Sequence, residues 1–148
     1  MRSVELVRCF CDPDFARAVR LIRLLPDGCT AGELRAKGLE HQEAAMLVSF
    51  AFETIGLPVF RQVTPFSIVE ELTGGLAVLM WRKLQRWEEE VRVESAQESW
   101  SEWFQWLVER LQDHARESNQ KPAYQAFSRW RPTSQYAAHR RSDTRRHQ

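Results

Sequence analysis

The sequence predicts an all-α fold, a single compact domain of five to six helices followed by a basic tail. Three observations predict it. Apolar residues recur at three- and four-residue spacing through most of the chain. Capping residues, prolines and glycines punctuate these runs where helices start and stop. One short stretch reads as extended, and a lone strand has no sheet to join. The 148 residues suit one domain with a sizeable core, and 43% hydrophobic with 28% charged residues is ordinary globular usage.

The elements follow in order. Asp12-Pro13-Asp14 supplies an N-cap, a proline at the first helical position and an acid in the first turn. Phe15, Val19, Ile22 and Leu25 then repeat at helical spacing until Pro26-Asp27-Gly28 ends the run. Thr30-Ala31-Gly32-Glu33 is a capping box opening a short second helix that stops near Gly38. A third helix is predicted from about Glu40 to Ile55, with Ala44, Leu47, Val48, Ala51, Phe52 and Ile55 apolar and Gly56 and Pro58 closing it. Residues 58–63 are predicted to be extended.

Thr64-Pro65 restarts a helix whose face begins as Ile68, Leu72, Leu76 and Leu79 and continues, rotated, as Met80, Leu84, Trp87 and Val91. Its middle is apolar nearly all round, which predicts a central, buried helix. Gly74-Gly75 costs about 1 kcal/mol of helix propensity per glycine, so it marks either a bend or a close neighbour. The next helix should start at Ser95 or Ser99, each the head of a capping box, and carries the stripe Trp100, Trp103, Phe104, Leu107 and Leu111. Tyr124, Phe127 and Trp130 predict a last short helix. The compact part is expected to span 1–130 and the tail, expected to be disordered, 131–148. With six Trp and eight Phe against two Tyr, the Trp-rich half 64–130 is expected to supply much of the core.

Net charge is +1, so no global field draws the chain to nucleic acid or membrane. The tail is different: Arg131, Arg140, Arg141, Arg145 and Arg146 against Asp143 make it +4 and leave 1–130 at −3. An odd count of three cysteines points away from a disulfide framework and toward a reducing, cytoplasmic setting. The longest uncharged stretches, Ala44 to Phe52 and Leu72 to Trp81, fall short of a bilayer span, and charges interrupt any signal-peptide core.

Chemistry-bearing residues are sparse. Cys9-x-Cys11 is too tight for the common zinc knuckle and would need Cys29 and His41 to complete four ligands; free cysteine is ordinarily a small buried hydrophobe. Cys29 with His41 has only residue type in favour of a nucleophile and base. Gly74-Gly75 lacks the Lys-Ser/Thr of a phosphate cradle. The expectation is therefore a non-enzymatic protein without cofactor or metal. The run Glu88-Glu89-Glu90, near a helix C-terminus, is read as a solvated end or as a docking face for a basic partner. Trp106 falls at the edge of the Trp stripe, where a tryptophan serves a dimer or partner contact.

Residues 12–61 carry a further pattern: a helix from Asp12-Pro13 to Leu25, Gly28-Cys29-Thr30-Ala31-Gly32-Glu33-Leu34, Gly38-Leu39, a longer helix, then Ile55-Gly56-Leu57-Pro58-Val59-Phe60-Arg61. This resembles the winged helix-turn-helix of ArsR-type bacterial repressors. The resemblance implies a dimeric DNA-binding regulator whose third helix enters the major groove. His41 and Gln42 would then read bases, and Arg140, Arg141, Arg145 and Arg146 would hold phosphates. That third helix offers Glu40, His41, Gln42 and Glu43 before turning apolar, with no Arg or Lys. A central apolar helix wrapped by amphipathic ones also resembles Bcl-2-type apoptosis regulators, although their Asn-Trp-Gly-Arg motif is absent.

Two functions are therefore expected. The first is a helix-turn-helix DNA-associated transcriptional regulator. The alternative is an all-helical protein-interaction module, an adaptor or inhibitor of phage, plasmid or viral origin, working through Trp106 with Glu88, Glu89 and Glu90. A chain from a eukaryotic virus would allow a nuclear location, with the arginine clusters as the signal.

Overall fold

A computed structural model describes residues 8–133, and every regular element among them is a helix. These are α1 (Pro13–Arg23), α2 (Ala31–Lys37), α3 (Leu39–Phe60), α4 (Phe66–Ser95), α5 (Glu102–Ser118) and α6 (Ala123–Ala126). The described residues fall into two units that meet between Glu117 and Ser118. Arg140, Arg141, Arg145 and Arg146 lie outside the described residues.

The first helices form as their caps dictate. The Asp12 carboxylate accepts the Asp14 N–H at 2.8 Å, and Pro13 opens α1, which turns Phe15, Ala18 and Ile22 inward. In α2 the Thr30 hydroxyl accepts the Glu33 N–H at 3.0 Å while the Glu33 carboxylate accepts the Thr30 N–H at 3.2 Å. Gly38 then takes φ +106°, and α3 starts at the next residue.

The third helix is longer than the sequence predicts. It runs through Gly56 and Pro58 to Phe60, so the stretch read as extended, and as the lead into a wing, is the last turn of α3 and the turn after it. Pro58 sits so near the end that its missing N–H removes one helical bond only. Its carbonyl then accepts both the Val63 and Thr64 N–H groups at 2.9 and 3.2 Å, with Gln62 at φ +57°, and this closes the turn. Gly56 is not a stop signal. A Cβ there would lie 2.3 Å from the Trp103 carbonyl oxygen, so α5 crosses α3 on bare backbone.

The central helix is α3 rather than α4. Ala44, Ala45, Val48, Ser49, Ala51, Phe52, Ile55, Gly56 and Val59 are buried, and α1, α2 and α4 all pack on it. By length and composition alone α3 could cross a membrane, but half of it is buried in the protein, as in a core helix. Helix α4 turns Val69, Thr73, Ala77, Met80, Leu84 and Trp87 inward, not the expected Ile68–Leu72 row, and Leu72 is 57% exposed. It stays one helix through both glycines. At Gly74 a Cβ would meet the Leu111 side chain of α5 at 3.4 Å, so close packing explains the residue, whereas Gly75 faces open space.

Neither Ser95 nor Ser99 starts α5. The helix begins at Glu102, and Trp100 lies in the preceding turn. Phe104, Leu107, Val108 and Leu111 make its buried face, while Trp100, Trp103 and Trp106 are half-buried. Core aromatics therefore come from α1, α3, α4 and α5: Phe15 of α1 meets Phe52 of α3 at 6.3 Å, Phe52 stacks on Phe104 of α5 at 5.0 Å, and Phe104 meets Trp81 of α4 edge-on at 5.0 Å. Each such pair adds about 0.5–1.5 kcal/mol to burial alone. Described by itself, the segment after Glu117 contains the short helix expected there, over Ala123–Ala126, and leaves Tyr124, Phe127 and Trp130 exposed.

The two kinds of glycine should separate on substitution. Gly75→Ala, mid-helix with open space, should raise stability by about 0.5–1 kcal/mol. Gly56→Ala should lower it by about 2 kcal/mol or more, because backbone must move to admit the methyl. Urea denaturation of both variants checks the contrast, and equal effects would mean that α5 does not press on Gly56.

Candidate functional site

The first turn of α5 is held by carboxylates from other helices. Glu53 of α3 accepts the Phe104 N–H at 2.8 Å, an N-terminal cap supplied from 51 positions away in the chain. Glu88 of α4 is fully buried and accepts from three donors: the Ser49 hydroxyl, the Trp100 indole N–H at 2.6 Å and the Ser101 hydroxyl at 2.7 Å. Arg92, one turn further on, donates from Nε to the Trp100 carbonyl at 2.7 Å and from Nη1 to Gln105 at 2.7 Å. The turn between α4 and α5 is thus clasped to α4 by a carboxylate and a guanidinium. A small cavity of about 200 Å³ lies over the clasp, lined by Ser49, Phe50, Glu53, Gln97 and Trp100 among others.

Burial pushes the Glu53 and Glu88 carboxyls above their ordinary value. For Glu88 the hydrogen bonds from Ser49, Ser101 and Trp100, and the Arg92 charge, oppose this without cancelling it.

The acidic run therefore divides. Glu88 faces the interior and presents nothing to a partner, because its carboxylate is enclosed by its three donors. Glu89 is exposed and accepts from Gln85 at 3.0 Å. Glu90 reaches back to α2, where it accepts the Ala31 N–H at 2.5 Å. A docking face of three glutamates does not exist on this helix.

Beyond the clasp, α5 carries an aromatic cluster toward solvent. Phe60, at the end of α3, lies 4.7 Å from the Trp103 ring and 5.6 Å edge-on from Trp106, and the two tryptophans are 6.1 Å apart. The edge position expected for Trp106 is where the structure puts it. The cluster borders an open groove of about 890 Å³ between the α3–α4 turn and α5. Val59, Phe60, Phe66 and Trp106 form its apolar lining, and Arg110, Asp113 and Glu117 its charged rim, with His114 beside them. Arg110 pairs with Asp113 at 2.9 Å, and His114 Nδ1 with Glu70.

His41 and Gln42 are half-buried in the first turns of α3. His41 Nδ1 is shielded from solvent without a hydrogen-bond partner, which does not suit reading of base edges. The outward row of α3 is Glu43, Leu47, Phe50, Thr54 and Leu57, with Glu40 exposed just off it and Arg61 at the C-cap. Cys29 is packed in the core with Leu34 and Ile22, while Cys9 is half-buried and Cys11 exposed. Among the described residues no group of three or more His, Cys, Asp or Glu converges as a metal ion would require.

Sequence reasoning missed Glu53, and it read Glu88 as solvent-facing because Glu88 lies among charged neighbours in sequence that do face water, Glu89 for one. The available signal was positional: Glu88 is four residues from Leu84 and one from Trp87, on the apolar side of α4. No protein family, curated protein or solved structure matches the chain.

A carboxyl raised in the native state keeps its proton to a higher pH than it does in the unfolded chain. Stability is therefore lost as pH climbs from the ordinary carboxyl range through the raised value. Glu88→Gln removes the charge, so thermal melts between about pH 4 and about pH 7 should show the wild type losing stability relative to this variant. Parallel pH profiles would contradict the buried ionisable group. Glu88→Ala should cost about 1–3 kcal/mol, since the Trp100 indole and two hydroxyls lose their acceptor.

Proposed function

We propose that the chain is a non-enzymatic protein-interaction module that takes an amphipathic helix of a partner into the groove beside Trp106. The observation that carries this reading is the aromatic cluster of exposed Phe60 and half-buried Trp103 and Trp106 beside an open groove with an apolar lining, Phe60 being 48% exposed. Exposed aromatics of this kind are scarce on surfaces that meet only water and common among interface hot spots. A groove with an apolar floor and a charged rim suits a helix with apolar residues at i, i+3, i+4 and i+7.

The alternative, a DNA-associated regulator, would have α3 present donors to base edges and phosphates. Its outward side holds the carboxylates Glu40 and Glu43 and four uncharged side chains, with one cation, Arg61, only at the C-cap, and this polarity favours protein over nucleic acid. Glu53 and Glu88 have structural partners throughout, which favours a binding role over general acid–base work at the cavity above them.

The reading is tested with synthetic helical peptides that share one apolar row and carry acidic, basic or neutral outer faces, titrated calorimetrically. At least one class should bind, and Trp106→Ala should weaken it by about 2 kcal/mol or more while far-ultraviolet circular dichroism stays unchanged. Binding that is indifferent to Trp106→Ala, or absent from every class, rejects the groove. A shift of random duplex DNA that falls steeply with salt would favour the regulator instead.

A further inference from the structure

A second surface lies on the side of α3 that faces away from the core. Glu43, Leu47, Phe50, Thr54 and Leu57, and Arg61 at the C-cap, whose N–H still bonds the Leu57 carbonyl at 2.9 Å, are all exposed, Phe50 by 53%. Their spacings are four, three, four, three and four residues, the spacing of one continuous seam along a helix. At about 100° per residue, the row is centred opposite the fully buried Phe52. Phe60, which belongs to the groove, lies roughly 100° around the helix from it.

This order reads the same from either end. Reversed, the spacings are unchanged, and Glu43 falls opposite Arg61, Leu47 opposite Leu57, and Phe50 opposite Thr54. An acid at one end meets a base at the other, and leucine meets leucine between them. A parallel pairing would instead set Glu43 on Glu43 and Arg61 on Arg61, which repel. Neither Glu43 nor Arg61 has an ionic partner among the described residues, whereas Glu40, just off the row, is taken by Arg17.

The geometry points to a second copy of this chain as the occupant: two α3 helices packed antiparallel across a two-fold axis between Phe50 and Thr54, with Glu43 and Arg61 paired at both ends. An isologous contact of this kind needs a surface complementary to itself, and the charge order of the row supplies it. The apolar centre gives association its energy, while the end charges select the antiparallel direction. With about 27 Å from Glu43 to the C-cap Arg61 at the helical rise, the contact spans about five turns.

Sedimentation equilibrium of the full chain tests this. The wild type should be a dimer in the micromolar range. Glu43→Arg and Arg61→Glu alone each place like charges at both ends, and each should raise the dimer dissociation constant about tenfold or more. The double variant restores opposite charges and should return to within about threefold of the wild type. All these positions are exposed, and circular dichroism confirms that the variants fold. Trp106→Ala should leave the dimer unchanged, so failure of the groove and failure of this seam are read separately. A wild type that stays monomeric at about 100 μM, single variants that dimerise like the wild type, or a double variant that fails to recover would each overturn the inference. A monomer that binds phosphatidylcholine–phosphatidylserine vesicles, and loses that binding in Leu47→Glu, would assign the face to lipid and overturn it equally.

Discussion

The contact between Gly56 and the Trp103 carbonyl sets the geometry of everything downstream. A carbonyl that would lie 2.3 Å from a Cβ leaves room for no side chain, so α3 and α5 meet backbone to backbone at this crossing. The approach brings the Glu53 carboxylate onto the Phe104 N–H and allows Phe52 to stack on Phe104. It also sets where Phe60 stands relative to Trp103 and Trp106, one turn further along each helix. The groove is therefore a by-product of how closely two helices can cross, and a methyl group at one position would reshape it.

The clasp at Glu88 shows how a mostly apolar core takes a charge-bearing group. Burying a carboxylate is costly unless its oxygens find donors, and this one finds three. Two of those donors come from the α4–α5 turn, where Trp100 is the one large apolar side chain. Trp100 uses both ends of its amphipathic side chain, with the indole N–H on Glu88 and the ring edge-on to Phe50 and Trp87.

Local signals carried much of the architecture. Asp12-Pro13, the Thr30 box and Gly38 encode their helix ends in a few adjacent residues, and the structure follows them. What stayed illegible depends on distant partners. Gly56 and Pro58 read as a stop because nothing nearby says that Trp103 will press on one and the α3–α4 turn will fold back on the other. Trp100 read as helix because its spacing to Trp103 and Leu107 is helical, but its indole is drawn to Glu88 and Ser101 takes φ +53°. Of the residues singled out for function, Trp106 could be placed because its position on the stripe is a local property. Glu88 could not, because a run of three glutamates gives no sign that one of them points inward.

Glu88 also bears on how the chain is made. Its donors lie on both sides of it in sequence, Ser49 39 positions earlier and Trp100 and Ser101 12 and 13 positions later. A nascent chain that ends anywhere before Ser101 holds a carboxyl lacking part of its solvation shell, so α4 gains little by closing on α3 at that stage. Completion of the bundle is thereby coupled to synthesis of the turn that follows α4. A fragment cut within that turn should behave as an unfinished intermediate and fall to quality-control proteases, not as a smaller version of the protein.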